Sequence, residues 1–294
     1  EYDLKKGIAL IENDKTDFLP LERKAMLYYC HKNLTRNASK AADALEGMEA
    51  YAVGRYLVVS YALDVLKNPE RTLALLCEPT RGFPYLDYQA GRLALYRGDY
   101  TAAIEKLTFF AQKCGGVYRA DAWYKAGLAA LCAGLNAEKH FRAAVAAAAV
   151  FDEDVYAQKQ ARIHLNSPPT PADVRLLKAR LFFDGGYFQR ALEELQELNV
   201  ADEERLTELH YRKARIYHAT GRYEHALFYY SAAQRLFPKR NLWMKVYSGY
   251  HKGQIYEAMG RIEAARDEWR RCLEYDDYDY QNGLEQKVKA ALGR

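Results

Sequence analysis

The chain has 294 residues, 50% of them hydrophobic and 28% charged, a composition that excludes the disordered class and calls for a packed core. Its 43 basic and 39 acidic residues leave a formal charge of +4, too weak to argue for nucleic acid on electrostatic grounds. The longest apolar run, residues 143 to 151, falls short of the ~20 residues a membrane-spanning helix needs.

In chain order, residues 1 to 13 read as a helix covering the open end of whatever follows. Residues 21 to 34 with 38 to 48, and 51 to 66 with 69 to 77, read as two helix hairpins, Pro69 suiting a first turn where its missing N–H is not needed. Between residues 87 and 113 apolar positions recur at intervals of three and four, broken only at Arg97-Gly98-Asp99, where a glycine accepts the positive φ of a tight turn. The same reading places hairpins near 121 to 150, 172 to 199, 207 to 237 and 246 to 275. Ahead of the second of these comes a charged helical stretch, 153 to 165, and then a proline-rich segment, 166 to 171, that cannot continue a helix. A bend or subdomain boundary is expected there. Residues 284 to 292 predict a last amphipathic helix closing the array.

The hairpins are copies. A small residue is followed seven positions later by glycine in Gly91/Gly98, Gly127/Gly134, Ala179/Gly186, Ala214/Gly221 and Gly253/Gly260. In four of these pairs an alanine follows twelve residues after the small residue (Ala103, Ala191, Ala226, Ala265), and a large apolar residue four further on (Leu107, Leu195, Tyr230, Trp269). Stacked repeats bury their cores against each other and leave an extended surface for a partner. The second copy is degenerate: its Ala137, Phe141 and Ala144 arrive two residues early, which suggests a shortened turn between its helices.

The fourth unit, with Ala214, Tyr217, Gly221, Tyr223, Ala226, Tyr230, Ala233 and Pro238, resembles the tetratricopeptide repeat position for position after its first few residues. The fifth is similar through Gly253, Tyr256, Gly260, Ala265 and Trp269, with Cys272 where alanine is usual, and the first through Gly91, Gly98, Tyr100, Ala103 and Leu107. The resemblance covers residues 85 to 277. It implies an all-α, right-handed α-solenoid of stacked antiparallel hairpins, with small residues where paired helices touch and the first helix of each hairpin on the concave face. The expected segments are irregular hairpins and a cap (1–84), repeats plus an extra helix (85–165), a proline-rich kink (166–171), further repeats (172–277) and a capping helix (278–294).

On that implied concave face, the position three before each small residue holds Tyr51, Tyr88, Tyr124, Tyr211 and Tyr250, with Leu176 the exception, and the position just after it holds Arg55, Arg92, Arg180 and Arg215, with Leu128 and Gln254 departing. Four residues apart, the two positions share a helix face. A tyrosine row beside an arginine row suits peptide recognition, because tyrosine gives rigid amphipathic area and arginine pairs with carboxylates. The alternative is that the tyrosines pack between repeats and the arginines satisfy nearby carbonyls or acids. Relatives that capture a free C-terminal carboxylate use lysine and asparagine at these two positions, so that subclass is not expected.

No nucleophile elbow, phosphate loop or zinc pair is present. His210, His218 and His225 are too far apart for adjacent ligands, and Asp276, Asp277 and Asp279 lack the remaining positions of a calcium loop. No cofactor and no catalysis are expected. The five cysteines, Cys30, Cys77, Cys114, Cys132 and Cys272, read as small buried hydrophobes. Lys239, Arg240, Lys245, Lys252, Arg261, Arg266, Arg270 and Arg271 form a basic stretch, read as a solvated face or a docking patch, before an acidic, tyrosine-rich tail at 275 to 280. The chain starts at Glu1 rather than methionine, so either the cytoplasm or, after loss of a leader, a bacterial periplasm or envelope is open. The expected function is that of a non-enzymatic scaffold holding an extended peptide or helix of another protein in a concave groove. The alternative is binding of a polysaccharide or peptidoglycan-like chain by the aromatics, as an accessory to glycan processing or transport.

Overall fold

The computed structural model describes residues 4–13, 19–34, 37–77, 83–114, 116–236 and 242–293, and among them the chain is all α. It divides into two compact units, residues 1–166 with 184–186, and residues 167–183 with 187–294.

The first unit contains α1 (Leu4–Asn13), α2 (Pro20–Tyr29), a π-helical turn at Cys30–Leu34, α3 (Ala38–Ala44), α4 (Ala52–Asp64), α5 (Pro69–Cys77), α6 (Pro84–Arg97), α7 (Tyr100–Lys113), α8 (Arg119–Cys132), α9 (Glu138–Ala146) and α10 (Asp152–Asn166). Local chemistry sets the starts: Asn37 and Asp99 side chains accept the backbone N–H groups of Lys40 and Ala102 at 3.0 and 3.3 Å. α6 packs on α7, α7 on α8, α8 on α9, and α10 closes over α8 and α9. The small residues let paired helices approach. A Cβ on Gly91 would stand 2.7 Å from Leu107 Cγ, and one on Gly127 only 2.5 Å from the Phe141 ring. Leu107 and Phe141 are buried, each worth about 2 kcal/mol of apolar transfer.

The shortened turn expected between α8 and α9 is not formed. Residues 133–137 separate these helices, where Gly98 and Asp99 alone separate α6 from α7. The Asn136 side-chain Oδ1 accepts the Glu138 N–H at 2.8 Å and starts α9 late. Ala137 therefore packs as a buried loop residue, which brings Phe141 onto Gly127 in spite of its early place in the sequence.

The second unit contains α11 (Pro171–Asp184), α12 (Phe188–Gln196), α13 (Glu203–Ala219), α14 (Tyr223–Arg235), α15 (Leu242–Ala258), α16 (Ile262–Cys272) and α17 (Gln281–Leu292). Thr170 and Asp173 form a reciprocal cap at the start of α11: the Asp173 N–H donates to Thr170 Oγ1 at 3.3 Å and the Thr170 N–H to Asp173 Oδ2 at 2.8 Å, with Pro171 at the first helical position. Arg205 then joins two helix starts, donating to Asp173 at 2.7 and 3.0 Å and to Asp202 at 2.9 Å. Leu176, Ala179, Ala191 and Leu195 share one core cluster, Ala214 and Tyr230 the next. Val246, Tyr250, Ala265 and Trp269 form the last, which α17 closes with Leu284, Val288 and Ala291. A Cβ on Gly253 would lie 2.1 Å from Trp269 Nε1, the group that donates to the Tyr250 carbonyl at 3.1 Å.

The basic stretch is not one solvated face. Lys252 is buried, paired with Glu268 at 2.8 Å and donating to Gln234 at 2.8 Å, so that one polar knot spans α14, α15 and α16. Lys245 is buried as well and donates to the Leu236 carbonyl at 3.1 Å. Arg266, Arg270 and Arg271 pair with Glu263, Asp267 and Glu268. Pro238, Lys239 and Arg240 lie outside the described residues.

Candidate functional site

The tyrosines three before each small residue differ in fate. In the first unit Tyr51 precedes α4 and is 53% exposed, whereas Tyr88 and Tyr124 are buried. The Tyr88 hydroxyl donates to Asp121 Oδ2 at 2.5 Å, and Lys125 completes the group by an ion pair with the same carboxylate. Burial, then the Asp121 charge, hold the Tyr88 phenol well above its ordinary pKa, so it stays a neutral donor. Tyr124 packs 5.9 Å from the Phe141 ring and 6.1 Å from that of His164.

The arginines of this unit serve the backbone and the core. Arg55 is buried, and its Nε donates to the Glu49 carbonyl at 2.9 Å. Arg92, its side chain 14% exposed, grips Asp64 through two nitrogens at 2.6 and 3.2 Å. It also donates to Gln89 Oε1 at 2.8 Å, and Gln89 in turn donates to Ser60 at 2.7 Å. Burial pushes the Asp64 carboxyl up, but the charge and hydrogen bonds of Arg92 prevail and hold it below the usual carboxylate range.

In the second unit α11, α13 and α15 bring their residues into one aromatic and polar cluster. Arg180 is half-buried on α11. The Arg215 guanidinium lies 4.8 Å from the Phe183 ring centre and 5.8 Å from that of Tyr211, and donates to the Tyr211 hydroxyl at 3.2 Å. Tyr211 and Tyr250 are buried, and Gln254 Nε2 donates to the Tyr250 hydroxyl at 3.4 Å. His251 stacks on Tyr230 at 5.6 Å, faces His218 at 5.8 Å and hydrogen-bonds Gln254 at 2.7 Å. Tyr247, Trp243 and Tyr280 extend the rings outward. Burial, then Arg215, depress the His218 ring to about 4, and the same causes hold His251 well below its ordinary value.

Sequence reasoning placed Arg180, Tyr211, Arg215, Tyr250 and Gln254 on this face but missed His218 and His251. Both were within reach of it: His218 continues the Tyr211, Arg215 face by one more turn, and His251 adjoins Tyr250. Asp64 and Asp121 were also missed, since each acts across a helix pair that no local spacing reveals, and with Asp121 went Lys125, its partner one turn later on α8. Among the described residues no group of three or more His, Cys, Asp or Glu could hold a metal ion, and no helix is long and apolar enough to cross a membrane.

Residues 207–240 and 250–279 match the tetratricopeptide repeat family. No curated protein matches the chain. Among solved structures, the apo form of the quorum sensor NprR from B. thuringiensis is similar over 93% of this chain and 78% of its own, at 15% identity and a TM-score of 0.37, a likeness too low to transfer function. Repeats of this family serve as protein-interaction scaffolds and are generally non-enzymatic.

Proposed function

We propose that this chain, a member of the tetratricopeptide repeat family, is a non-enzymatic adaptor that holds an extended segment or helix of a partner protein against its inner helices. In the second unit the half-buried Arg180, Arg215 and Gln254 form the contact face, with the buried Tyr211 and Tyr250 packed behind them. In the first, Tyr51 is exposed for contact, while Arg55, Tyr88, Arg92 and Tyr124 stiffen the helices behind it.

The hydrogen-bond state of His251 carries this reading. Its Nδ1 meets the Gln254 side-chain Oε1 at 2.7 Å, and an amide oxygen only accepts, which assigns the proton to Nδ1. With the ring held neutral, Nε2 is an acceptor, and it is buried with no partner. An unmet buried acceptor costs about 1–3 kcal/mol. An N–H of a peptide crossing α13 and α15 would supply the missing donor once the rings packed around His251 turn aside, and the arginines suit its carboxylates and carbonyls.

The test is site-specific photo-cross-linking from position 254 in the source cell, with wild type beside an Arg180→Glu, Arg215→Glu double variant of equal helicity. One dominant cross-linked protein, lost in the double variant, is the expected result. A pattern of adducts indifferent to the two charge reversals would defeat the reading.

A further inference from the structure

The first unit carries a second aromatic assembly, at the starts of its helices rather than along their inner faces. Phe83 and Tyr118 are the residues that precede α6 and α8, and Phe151 precedes α10, at spacings of 35 and 33 residues that match the repeat. This position favours Ser, Thr, Asp or Asn, whose side chains cap the helix for about 1 kcal/mol. Neither Phe83 nor Tyr118 makes a side-chain cap. Tyr118 also sits at φ 64, a left-handed conformation costing a tyrosine roughly 1–2 kcal/mol. A buried carboxylate from another helix holds it there: Asp154 of α10 accepts the N–H groups of Tyr118 and Asp121, each at 3.1 Å, doing the work of the missing cap. Strain maintained from outside at Tyr118, one of three equivalent ring-bearing positions, points to a use for the rings.

The rings form one strip. Tyr56, Tyr85, Tyr118 and Phe151 succeed one another at 6.0, 6.3 and 5.9 Å, with Phe83 filling in at 5.9 Å from Tyr56 and 5.4 Å from Tyr85. Tyr56, Phe83, Tyr85 and Tyr118 are partly exposed, and Phe151 is 48% exposed. Neighbouring planes meet at 67° between Tyr56 and Tyr85 and 80° between Tyr85 and Tyr118. Rings touching edge to face or tilted, at 49° to 80°, give a notched surface with shallow hollows beside each exposed face rather than a flat platform. A sugar ring wants a flat face with polar groups beside it; a pyrrolidine ring wants a cleft between two aromatic faces. The exposed charges at the helix starts are acidic: Asp87 on α6, and Asp152 and Glu153 on α10.

We propose that this strip docks a proline-rich segment of another protein in the polyproline II conformation, with an arginine or lysine beside its prolines. The rings receive the prolines, the phenol hydroxyls bond the carbonyls that this conformation leaves unpaired, and Asp87, Asp152 and Glu153 attract the cation. The strip accommodates about six residues at ~3.1 Å each. This surface is separate from the second-unit face and does not depend on it.

The test uses the full chain and fluorescence anisotropy with a set of labelled peptides, each one arginine followed by three Pro-Pro-X triplets, X being Leu, Val, Ala or Pro. At least one peptide is expected to bind. Phe151→Ala and Tyr56→Ser, both at partly exposed rings, should weaken it about tenfold or more, and Glu153→Lys with Asp87→Lys about threefold or more. Unchanged thermal melts keep these losses from being folding effects. No binding by any peptide, equal binding when glycine replaces the prolines, indifference to the ring variants, or displacement by a neutral glucan oligosaccharide instead would each overturn the proposal.

Discussion

Arg92 and Arg215 stand at the same place in two copies of one repeat and do opposite things. In the first unit Asp64 neutralises Arg92 and turns it into a strut between α4 and α6. In the second, Phe183 and Tyr211 hold Arg215 by its face and a phenol accepts from it. The difference teaches that repeat position fixes where a side chain goes but not which groups it meets there. The neighbour one repeat away decides that, here an aspartate in one unit and a phenylalanine in the other.

The comparison breaks most visibly if the strut is cut. Asp64→Ala leaves a largely buried guanidinium without its carboxylate, and a loss of about 3 kcal/mol in urea denaturation is expected, the lower edge of the range for a broken buried pair because Asp64 itself meets solvent. Acid separates the units next. The His218 ring titrates near 4 in the folded chain against 6.5 ordinarily, so between those values the unfolded chain binds more protons. Stability should therefore fall as pH drops from 6.5 toward 4, by on the order of 2 kcal/mol. The Asp64 clamp weakens only below the ordinary carboxylate pKa, since its folded value is depressed. Amide hydrogen exchange across this window should show α13 to α15 opening before α4 and α6, and His218→Phe should flatten the response.

Gly253→Ala is the next smaller effect. Its Cβ would meet Trp269 at 2.1 Å, and about 1.5 kcal/mol is expected from thermal melts, with Gly127→Ala against Phe141 comparable in the other unit. The smallest stability effect, under about 1 kcal/mol, belongs to Arg215→Met, which forfeits the stacking on Phe183 and the hydrogen bond to the Tyr211 hydroxyl. If Arg215→Met costs as much as Asp64→Ala, the contrast between the two arginines is false.

Much of this was legible in the residues. The small residue and the large one sixteen later, read as a spacing, are the actual contacts of Gly91 with Leu107 and Gly253 with Trp269. Spacing within a helix is local physics, and it survives folding. The early arrival of Phe141 was also visible, but its cause was misjudged, because a loop can take up two residues by starting the next helix late. Tyr88 marks the limit. Its helix face was readable, yet whether it meets solvent depends on Asp121, 33 residues away on the next inner helix. Phe83, Tyr118 and Phe151 went unnoticed since apolar periodicity is counted inside helices, and the residue before a helix carries no phase. The left-handed turn at Tyr118 is set by Asp154, which nothing in its own neighbourhood announces.

Helix α17 has a consequence for how such a chain can change its length. Leu284, Val288 and Ala291 occupy the apolar surface of α15 and α16 that another hairpin would need. A duplicated hairpin set behind α17 would meet that helix's outward side, while one inserted ahead of it inherits both a bed to lie on and a lid. Genetic gain or loss of repeats should thus be tolerated in the interior of this stretch and not at its C-terminal margin, as a zip is lengthened by adding teeth between its stops.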